Sequence, residues 1–241
     1  MEALLRYFPD LTDAQRRRFE HLQALYGFWN ARINVISRRD LNYLYERHVL
    51  HSLAIARFCT WVPGTQVVDV GTGGGFPGIP LAIYFPEVHF TLVDSVQKKI
   101  HVVQSIISEL TLSNASAVAM RAEELKQRFD FVTARAVADL KQLYQWTRHL
   151  VNPQGFNSIA NGWLLLKGGH LEDEIRRSRL PVIPIPLSRY FTESFFAGKF
   201  LLYVPCASDQ SETPSDAHHT PERDGSAFPD GGPGRNRKIG S

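Results

Sequence analysis

The stretch VVDVGTGGGFPGI, Val67–Ile79, decides the fold of this chain. It opens with a β-branched run typical of a buried strand and continues into four glycines, Gly71, Gly73, Gly74 and Gly75. Glycine lets a backbone turn sharply with positive φ and lets a ligand approach it closely. A helix that starts after such a turn directs its free N–H groups at that ligand. The stretch therefore predicts a nucleotide-type pocket between a strand and a helix.

Two carboxylates accompany this glycine loop. Asp94 closes the next predicted strand, about 20 residues further on, where an acid hydrogen-bonds ribose hydroxyls. A ribose and the pattern G-x-G-x-x-G, formed by Gly73, Gly75 and Gly78, fit a dinucleotide equally well. Asp69 begins the pattern D-x-G-x-G-x-G and suits a cationic amino-acid ligand. We expect Asp69 to orient the loop and to reach the methionine ammonium of S-adenosylmethionine.

Short β-branched runs alternate with helical patterns on both sides of the loop. Strands are predicted over 66–70, 88–93, 115–120, 129–134 and 163–166. Helices are predicted between them, over 79–84, 96–110, 140–151 and 171–177. This alternation predicts an α/β fold with a doubly wound, Rossmann-like parallel sheet. Two further strands, over 182–187 and 200–204, are expected as an antiparallel pair at one edge.

Composition limits the class of protein. The 241 residues carry a formal charge of +3, which permits a nucleic-acid partner without demanding one. The two cysteines stand in unrelated contexts, so we expect neither a metal site nor a disulfide framework. The charged N-terminus has no signal core, and no apolar run approaches the ~20 residues of a membrane span. We therefore expect a soluble cytoplasmic protein without a membrane partner.

Seven segments in one collinear order resemble a known family. They are WNARINVISRRD, ERHVLHSL, DVGTGGGFPGIPLAI, TLVDSVQKK, RAEE, FDFVTARAVA and LLLKGG. Over residues 20–204 the chain resembles the bacterial small-subunit ribosomal RNA guanine-N7 methyltransferases, also called glucose-inhibited division protein B. The resemblance implies a class I methyltransferase sheet that transfers a methyl group from S-adenosylmethionine to N7 of a guanine in 16S rRNA. The expected partner is 16S rRNA or the small ribosomal subunit, with an assembly intermediate as an alternative, and the expected state is a monomer.

The patterns along the chain also predict its division. An N-terminal helical extension is expected over 1–62, with a third helix from about residue 40 to residue 58. The S-adenosylmethionine-dependent methyltransferase domain is expected over 63–205. Ser, Asp, Pro, Gly, Thr and His dominate after Pro205, so a disordered tail is expected over 206–241.

The cofactor contacts that the resemblance implies come from four segments of the chain. Gly71, Gly73 and Phe76 would line the loop, and Asp94 would take the ribose. The adenine would lie against Ala122 and Glu123, mostly through their backbone. One departure is GTGGG, because many relatives have a proline at the position of Gly74, and glycine there makes the loop more flexible.

Arg135, at the tip of the fourth strand, is implied to face the cofactor and the target base. Guanine N7 attacks through a neutral lone pair, so we expect no general base and assign Arg135 to positioning, through O6, a phosphate or the cofactor carboxylate. The alternative is an ion pair of Arg135 with Asp69 or Asp130 that holds the loop. Arg121 and Lys167 match positions that the family keeps basic, and we expect them to contact RNA.

Other basic and aromatic residues are interpreted as structural. A basic rim for RNA phosphates is one interpretation, although for Arg16–Arg18 and Arg176–Arg177 the sequence favours solvated helix faces. His48, His51 and Trp29 are expected to belong to the core. The rim comprises Arg16–Arg18, Arg38, Arg39, Arg47, Lys98, Lys99, Arg121, Lys167, Arg176 and Arg177.

Three alternative functions stay open on the residues alone. A nicotinamide-dependent oxidoreductase would need a proton donor such as Tyr-x-x-x-Lys near the site, and none follows the fourth or fifth strand. A non-catalytic RNA-binding module would keep the pocket without turnover. A methyltransferase of small molecules is disfavoured by the basic residues beside the pocket.

Overall fold

The computed structural model describes residues 1–37 and 39–206. Arg38 of the predicted basic rim therefore lies outside the described residues. Of the tail predicted over 206–241, only Cys206 lies within them.

Seven α-helices and seven β-strands make up the described chain. The strands are β1 (Gln66–Val70), β2 (His89–Asp94), β3 (Ala115–Ala119), β4 (Phe131–Arg135), β5 (Gly162–Gly168), β6 (Ile183–Pro186) and β7 (Lys199–Pro205). The helices are α1 (Glu2–Tyr7), α2 (Asp13–Asn30), α3 (His51–Phe58), α4 (Gly78–Tyr84), α5 (Gln97–Glu109), α6 (Leu140–Thr147) and α7 (Glu172–Ser178).

All seven strands form one sheet in the order β3-β2-β1-β4-β5-β7-β6. The strands from β3 to β5 are parallel, and β7 runs antiparallel to both β5 and β6. Since the order reverses between β1 and β4, the carboxyl ends of these two strands border a crevice where ligands bind in such sheets. The predicted doubly wound sheet and its antiparallel edge are confirmed.

Apolar side chains cover both faces of the sheet, because successive strand residues point to opposite sides. One core contains Val67, Phe131 and Leu164 together with α1 to α5. The other contains Val68 and Val132, among further strand residues, together with α6 and α7. The N-terminal helices thus share a continuous core with the first face of the sheet.

The third predicted helix differs from the structure. A 3₁₀ turn covers Leu41–Tyr43 and a π-helix covers Leu44–Leu50, so the α-helix begins only at His51. Apolar spacing over one or two turns does not separate a π-helix from an α-helix, which is why the pattern missed it. The π-helix places the carbonyl of Arg47 and the ring of His48 beside Arg135.

Element boundaries also shift by one to four residues. Strand β4 begins at Phe131, because Phe129 forms only an isolated bridge with Val151. Helix α6 ends at Thr147, whose hydroxyl accepts a hydrogen bond from Trp163 Nε1, and a 3₁₀ turn follows. Within the described residues, no helix combines the length and apolar character needed to cross a membrane.

Candidate functional site

Asp69 is the anchor of the glycine loop. Its side chain is fully buried, and its Oδ2 accepts hydrogen bonds from Thr72 Oγ1 at 2.6 Å and from Gly78 N at 2.9 Å. Burial raises the pKa of this carboxyl to about 7, although these donors and the charge of Arg135 oppose the rise. Asp69 thus orients the loop from inside it and does not line the cavity described below. Its predicted contact with the ligand stays a prediction.

Gly71 and Gly73 have the positive φ values that the turn requires, 63° and 59°. A Cβ on Gly71 would lie 2.7 Å from Val137 Cγ2, so no larger residue fits without displacing that side chain. The N–H of Gly73 donates to Asp94 Oδ2 at 3.0 Å. The first turn of the loop is therefore held between β2 and the chain that follows β4.

Asp94 closes β2 with its side chain 8% exposed. Besides accepting from Gly73, it accepts from Val96 N through Oδ1 at 2.9 Å. Lys99 Nζ lies 3.6 Å from Asp94 Oδ2 and supplies a positive charge. The carboxylate is thus fixed where the predicted ribose would lie.

A cavity of about 490 Å³ opens at the carboxyl ends of β1 to β4. It brings together six of the predicted residues, namely Gly71, Asp94, Arg121, Ala122, Glu123 and Arg135. Lys99 of the predicted basic rim also lines it. The remaining wall residues were not predicted, namely Val70, Val93, Ser95, Val96, Met120, Ala136, Val137 and Trp146. Most of these lie at the predicted strand ends or up to three residues beyond them, which was the available signal. Trp146 comes from α6, and no sequence pattern pointed to it.

Phe76 lies behind the cavity and not on its wall. It is buried, stacks on Tyr26 with ring centroids 4.9 Å apart, and lies at the same centroid distance from His48. The guanidinium carbon of Arg135 is 5.0 Å from the Phe76 ring centroid. Phe76 therefore supports Arg135 by a cation–π contact.

Arg135 is held by the π-helix. Its Nη2 donates to His48 Nδ1 at 2.9 Å, and its Nη1 donates to the carbonyl of Arg47 at 3.3 Å. Burial lowers the pKa of Arg135 to about 10. Burial and the charge of Arg135 together lower the pKa of His48 to about 3. At neutral pH the Arg135 guanidinium is therefore cationic and the His48 imidazole is neutral.

Arg135 does not form the ion pair with Asp69 or Asp130 that was the alternative interpretation of its role. Within the described chain, no carboxylate lies within 4 Å of its guanidinium. Asp130 instead accepts from Gln66 N at 2.8 Å and from Asn161 Nδ2 at 3.1 Å, which ties β1 to β5. Arg135 is thus a partly buried cation at the cavity wall without an ion-pair partner among the described residues.

Lys167 and Arg121 differ in their surroundings. Lys167 Nζ is nearly buried and donates to the carbonyl of Ala138 at 2.6 Å and to Glu174. It borders a second cavity of about 400 Å³, which shares Ala136 and Val137 with the first. Arg121 is exposed at the cavity rim. Of the two, Arg121 is the more accessible to a polyanion.

Comparisons with known proteins agree with this geometry. The family model described as GidB, rRNA small subunit methyltransferase G, matches residues 15–193. The ribosomal RNA small subunit methyltransferase G of Bacteroides thetaiotaomicron is 50% identical over 203 residues, which are 84% of this chain and 98% of that protein. Proteins of the same name from Phocaeicola vulgatus and Flavobacterium psychrophilum are 48% and 47% identical, over 85% of this chain and 98% of each relative.

Two solved structures share the fold. Magnesium protoporphyrin IX methyltransferase from Synechocystis PCC 6803, solved with bound S-adenosylmethionine, has a TM-score of 0.50 and 16% identity, covering 81% of this chain and 99% of that one. A variant of MtNAS in complex with S-adenosylmethionine has a TM-score of 0.53 and 13% identity, covering 80% and 77%. At these identities, the similarity concerns the fold alone.

Proposed function

This chain belongs to the GidB family of small-subunit ribosomal RNA methyltransferases, and we propose that it transfers a methyl group from S-adenosylmethionine to N7 of a guanine in 16S rRNA. Family membership makes the chain an enzyme with S-adenosylmethionine as its cofactor. The observation that carries the assignment of the site is the fixed carboxylate of Asp94 in a cavity at the switch point of the sheet.

The chemistry of the cavity suits S-adenosylmethionine. Gly71 presents only backbone at the cavity wall, which lets a ligand approach the loop closely, and the carboxylate of Asp94 matches the hydrogen-bond donors of a ribose. Ala122 and Glu123, at the end of β3, offer a wall for the adenine. When bound, S-adenosylmethionine supplies a methyl group on a positively charged sulfur.

Arg135 positions the reactants at the opposite side of the cavity. Its guanidinium can donate to the cofactor carboxylate, to O6 of the guanine or to a phosphate. It leaves N7 free, since a hydrogen bond to N7 would occupy the attacking lone pair. The side chain is held by His48, Arg47 and Phe76, so its orientation exists before the RNA arrives. Alignment of donor and acceptor is the main requirement of such an in-line displacement.

The proposed partner is 16S rRNA, either free or in the small subunit or one of its assembly intermediates. Arg121 at the cavity rim contacts its backbone, and Lys167 contributes positive charge through the second cavity. We place the reaction in the cytoplasm and expect the enzyme to act as a monomer.

A mass-spectrometric map of 16S rRNA tests the substrate. In cells that lack the protein, one N7-methylguanine should disappear, and plasmid-borne wild-type protein should restore it. The Asp94→Ala variant should not restore it. An N7-methylguanine content that stays unchanged in the deletion strain contradicts the proposed substrate.

A further inference from the structure

A row of aromatic and cationic side chains lies on the surface where α2 meets α5. Phe28 is 50% exposed, and the guanidinium carbon of Arg32 lies 3.6 Å from its ring centroid. Trp29 contacts Phe28 edge-on at a centroid distance of 5.4 Å and contacts His101 at the same distance. We call Arg32, Phe28, Trp29 and His101 the aromatic row.

The two helices that carry the aromatic row also carry residues at the cofactor cavity or its glycine loop. Val96 and Lys99 line the cavity, and His101 lies on the same helix as Lys99, two residues further on. On the other helix, Tyr26 of α2 donates its hydroxyl to the carbonyl of Gly74 at 2.6 Å. The helices that carry the row are therefore tied to the cavity through Lys99 and to the glycine loop through Tyr26.

The surroundings of the row are cationic. Arg17, Arg32 and Lys98 are exposed, and none of them pairs with a carboxylate in the part of the chain that the structure describes. A groove of about 290 Å³ further along α2 is lined by Arg17, Arg18 and His21, with Glu109 as its one carboxylate. This charge complements a polyanion such as RNA.

We propose that the aromatic row docks an unpaired strand of the substrate rRNA next to the target guanine. Bases stack on the exposed ring of Phe28 and on the guanidinium plane of Arg32, while Lys98 and Arg17 contact phosphates. Unpaired bases are recognised in this way because every base offers a flat face to an aromatic ring. The inference rests on the proposed function, which requires an unstacked base to enter the cavity.

Trp29 also packs against the core, as expected. It is partly buried there, and its ring contacts both Phe28 and His101. The exposed cations around the row, including Lys98, are unpaired within the described chain and favour RNA over a ribosomal protein as the occupant, because lysine is depleted at protein interfaces whereas phosphates bind cations.

The test uses the full chain and the double variant Phe28→Ala/Arg32→Gln. Loss of one stacked base weakens binding roughly 5- to 150-fold (about 1–3 kcal/mol), so KM for protein-free 16S rRNA should rise about tenfold. The kcat should stay within about twofold and the affinity for S-adenosylmethionine should not change, because neither residue lines the cavity. The Phe28→Tyr variant keeps the ring and should behave as wild type.

The matched control is Phe156→Ala/Arg128→Gln. Phe156 is 60% exposed and precedes β5, and the exposed Arg128 precedes β4, so both lie toward the amino ends of the strands, opposite the cavity. This variant should leave KM unchanged. Removal of the Lys98 charge by Lys98→Gln should in turn reduce the salt slope of RNA binding by about 0.7, as expected for one phosphate contact on a single strand.

Binding of an unpaired RNA oligonucleotide, measured by fluorescence anisotropy, separates the two proposals. If the wild type binds the oligonucleotide through the aromatic row but methylates no rRNA, the proposed function is wrong and the docking proposal is retained. If the double variant binds and methylates RNA as the wild type does, the docking proposal is wrong and the proposed function is retained. A defect seen with whole subunits but not with protein-free RNA would assign the row to a ribosomal protein and overturn the inference.

Discussion

Arg135 donates a hydrogen bond from Nη2 to Nδ1 of His48, 2.9 Å away. Since a guanidinium can only donate, His48 Nδ1 accepts and the ring proton resides on Nε2. Burial and the charge of Arg135 lower the pKa of His48 to about 3, which keeps the ring in this neutral form. The position of Arg135 at the cavity therefore depends on an uncharged imidazole.

The His48 ring predicts a pH dependence of stability. In the unfolded chain it takes up a proton near pH 6.5, whereas in the folded chain it does so only near pH 3. The unfolded state thus binds more protons between these values, so the free energy of unfolding falls on acidification below pH 6.5. In the His48→Asn variant, the slope of the free energy of unfolding against pH should decrease by about 1.4 kcal/mol per pH unit. Urea titrations from pH 4 to pH 7.5 measure it, and an unaltered slope would exclude a neutral buried His48.

Replacement of Arg135 by lysine predicts a catalytic defect at nearly normal cofactor affinity. Lysine keeps the charge but loses the two directed hydrogen bonds to the π-helix. A misplacement of about 1 Å is enough to reduce the rate about 10²-fold, so kcat should fall by roughly that factor. Single-turnover methyl transfer measures the rate, and calorimetry measures the affinity. A wild-type rate for Arg135→Lys would mean that Arg135 has no positioning role.

Asp94→Ala tests the proposed ribose contact. The substitution removes the acceptor of Gly73 N and of Val96 N as well as the proposed acceptor of ribose hydroxyls. The Kd for S-adenosylmethionine, measured by calorimetry, should rise at least about tenfold, which corresponds to about 1.4 kcal/mol. Asp94→Asn keeps one acceptor oxygen and should lose less. Equal affinity of Asp94→Ala and wild type would place the cofactor elsewhere.

Gly71→Ala predicts a loss of both stability and cofactor binding. The new Cβ would meet Val137 Cγ2 at 2.7 Å, and a φ of 63° costs a residue with a Cβ about 1–2 kcal/mol. Thermal unfolding and calorimetry should show both effects. Val137→Ala in the same chain removes the contact but not the backbone strain, so it should restore part of the stability. Full recovery of the stability in the double variant would contradict the destabilisation attributed to the positive φ of residue 71.

The fold, the family and the methyltransferase activity were predicted from the sequence and are confirmed. They were predictable because the glycine loop and the acids at the strand ends are local features with fixed spacing. The division at residues 62 and 63 and the roles of the site residues stay predictions.

The features of the site that the sequence did not predict depend on contacts between distant segments. No spacing indicates that Phe76 faces away from the cavity, since its partners Tyr26 and His48 come from the N-terminal segment. The burial of Asp69 was missed for a similar reason. A carboxylate at a strand end is equally compatible with a ligand contact and with the internal hydrogen bonds that Thr72 and Gly78 supply.

Those internal hydrogen bonds have a thermodynamic consequence. Asp69 fixes the loop through donors that belong to the loop itself, so its shape does not wait for a ligand. An incoming ligand then meets a preorganised surface and loses little affinity to the ordering of the backbone. Gly74 is also ordered before a ligand binds. It has more conformational freedom than other residues in the unfolded chain, and it loses this freedom on folding, when Tyr26 and Val35 contact it. The entropy of ordering this loop is therefore a cost of folding and not of catalysis.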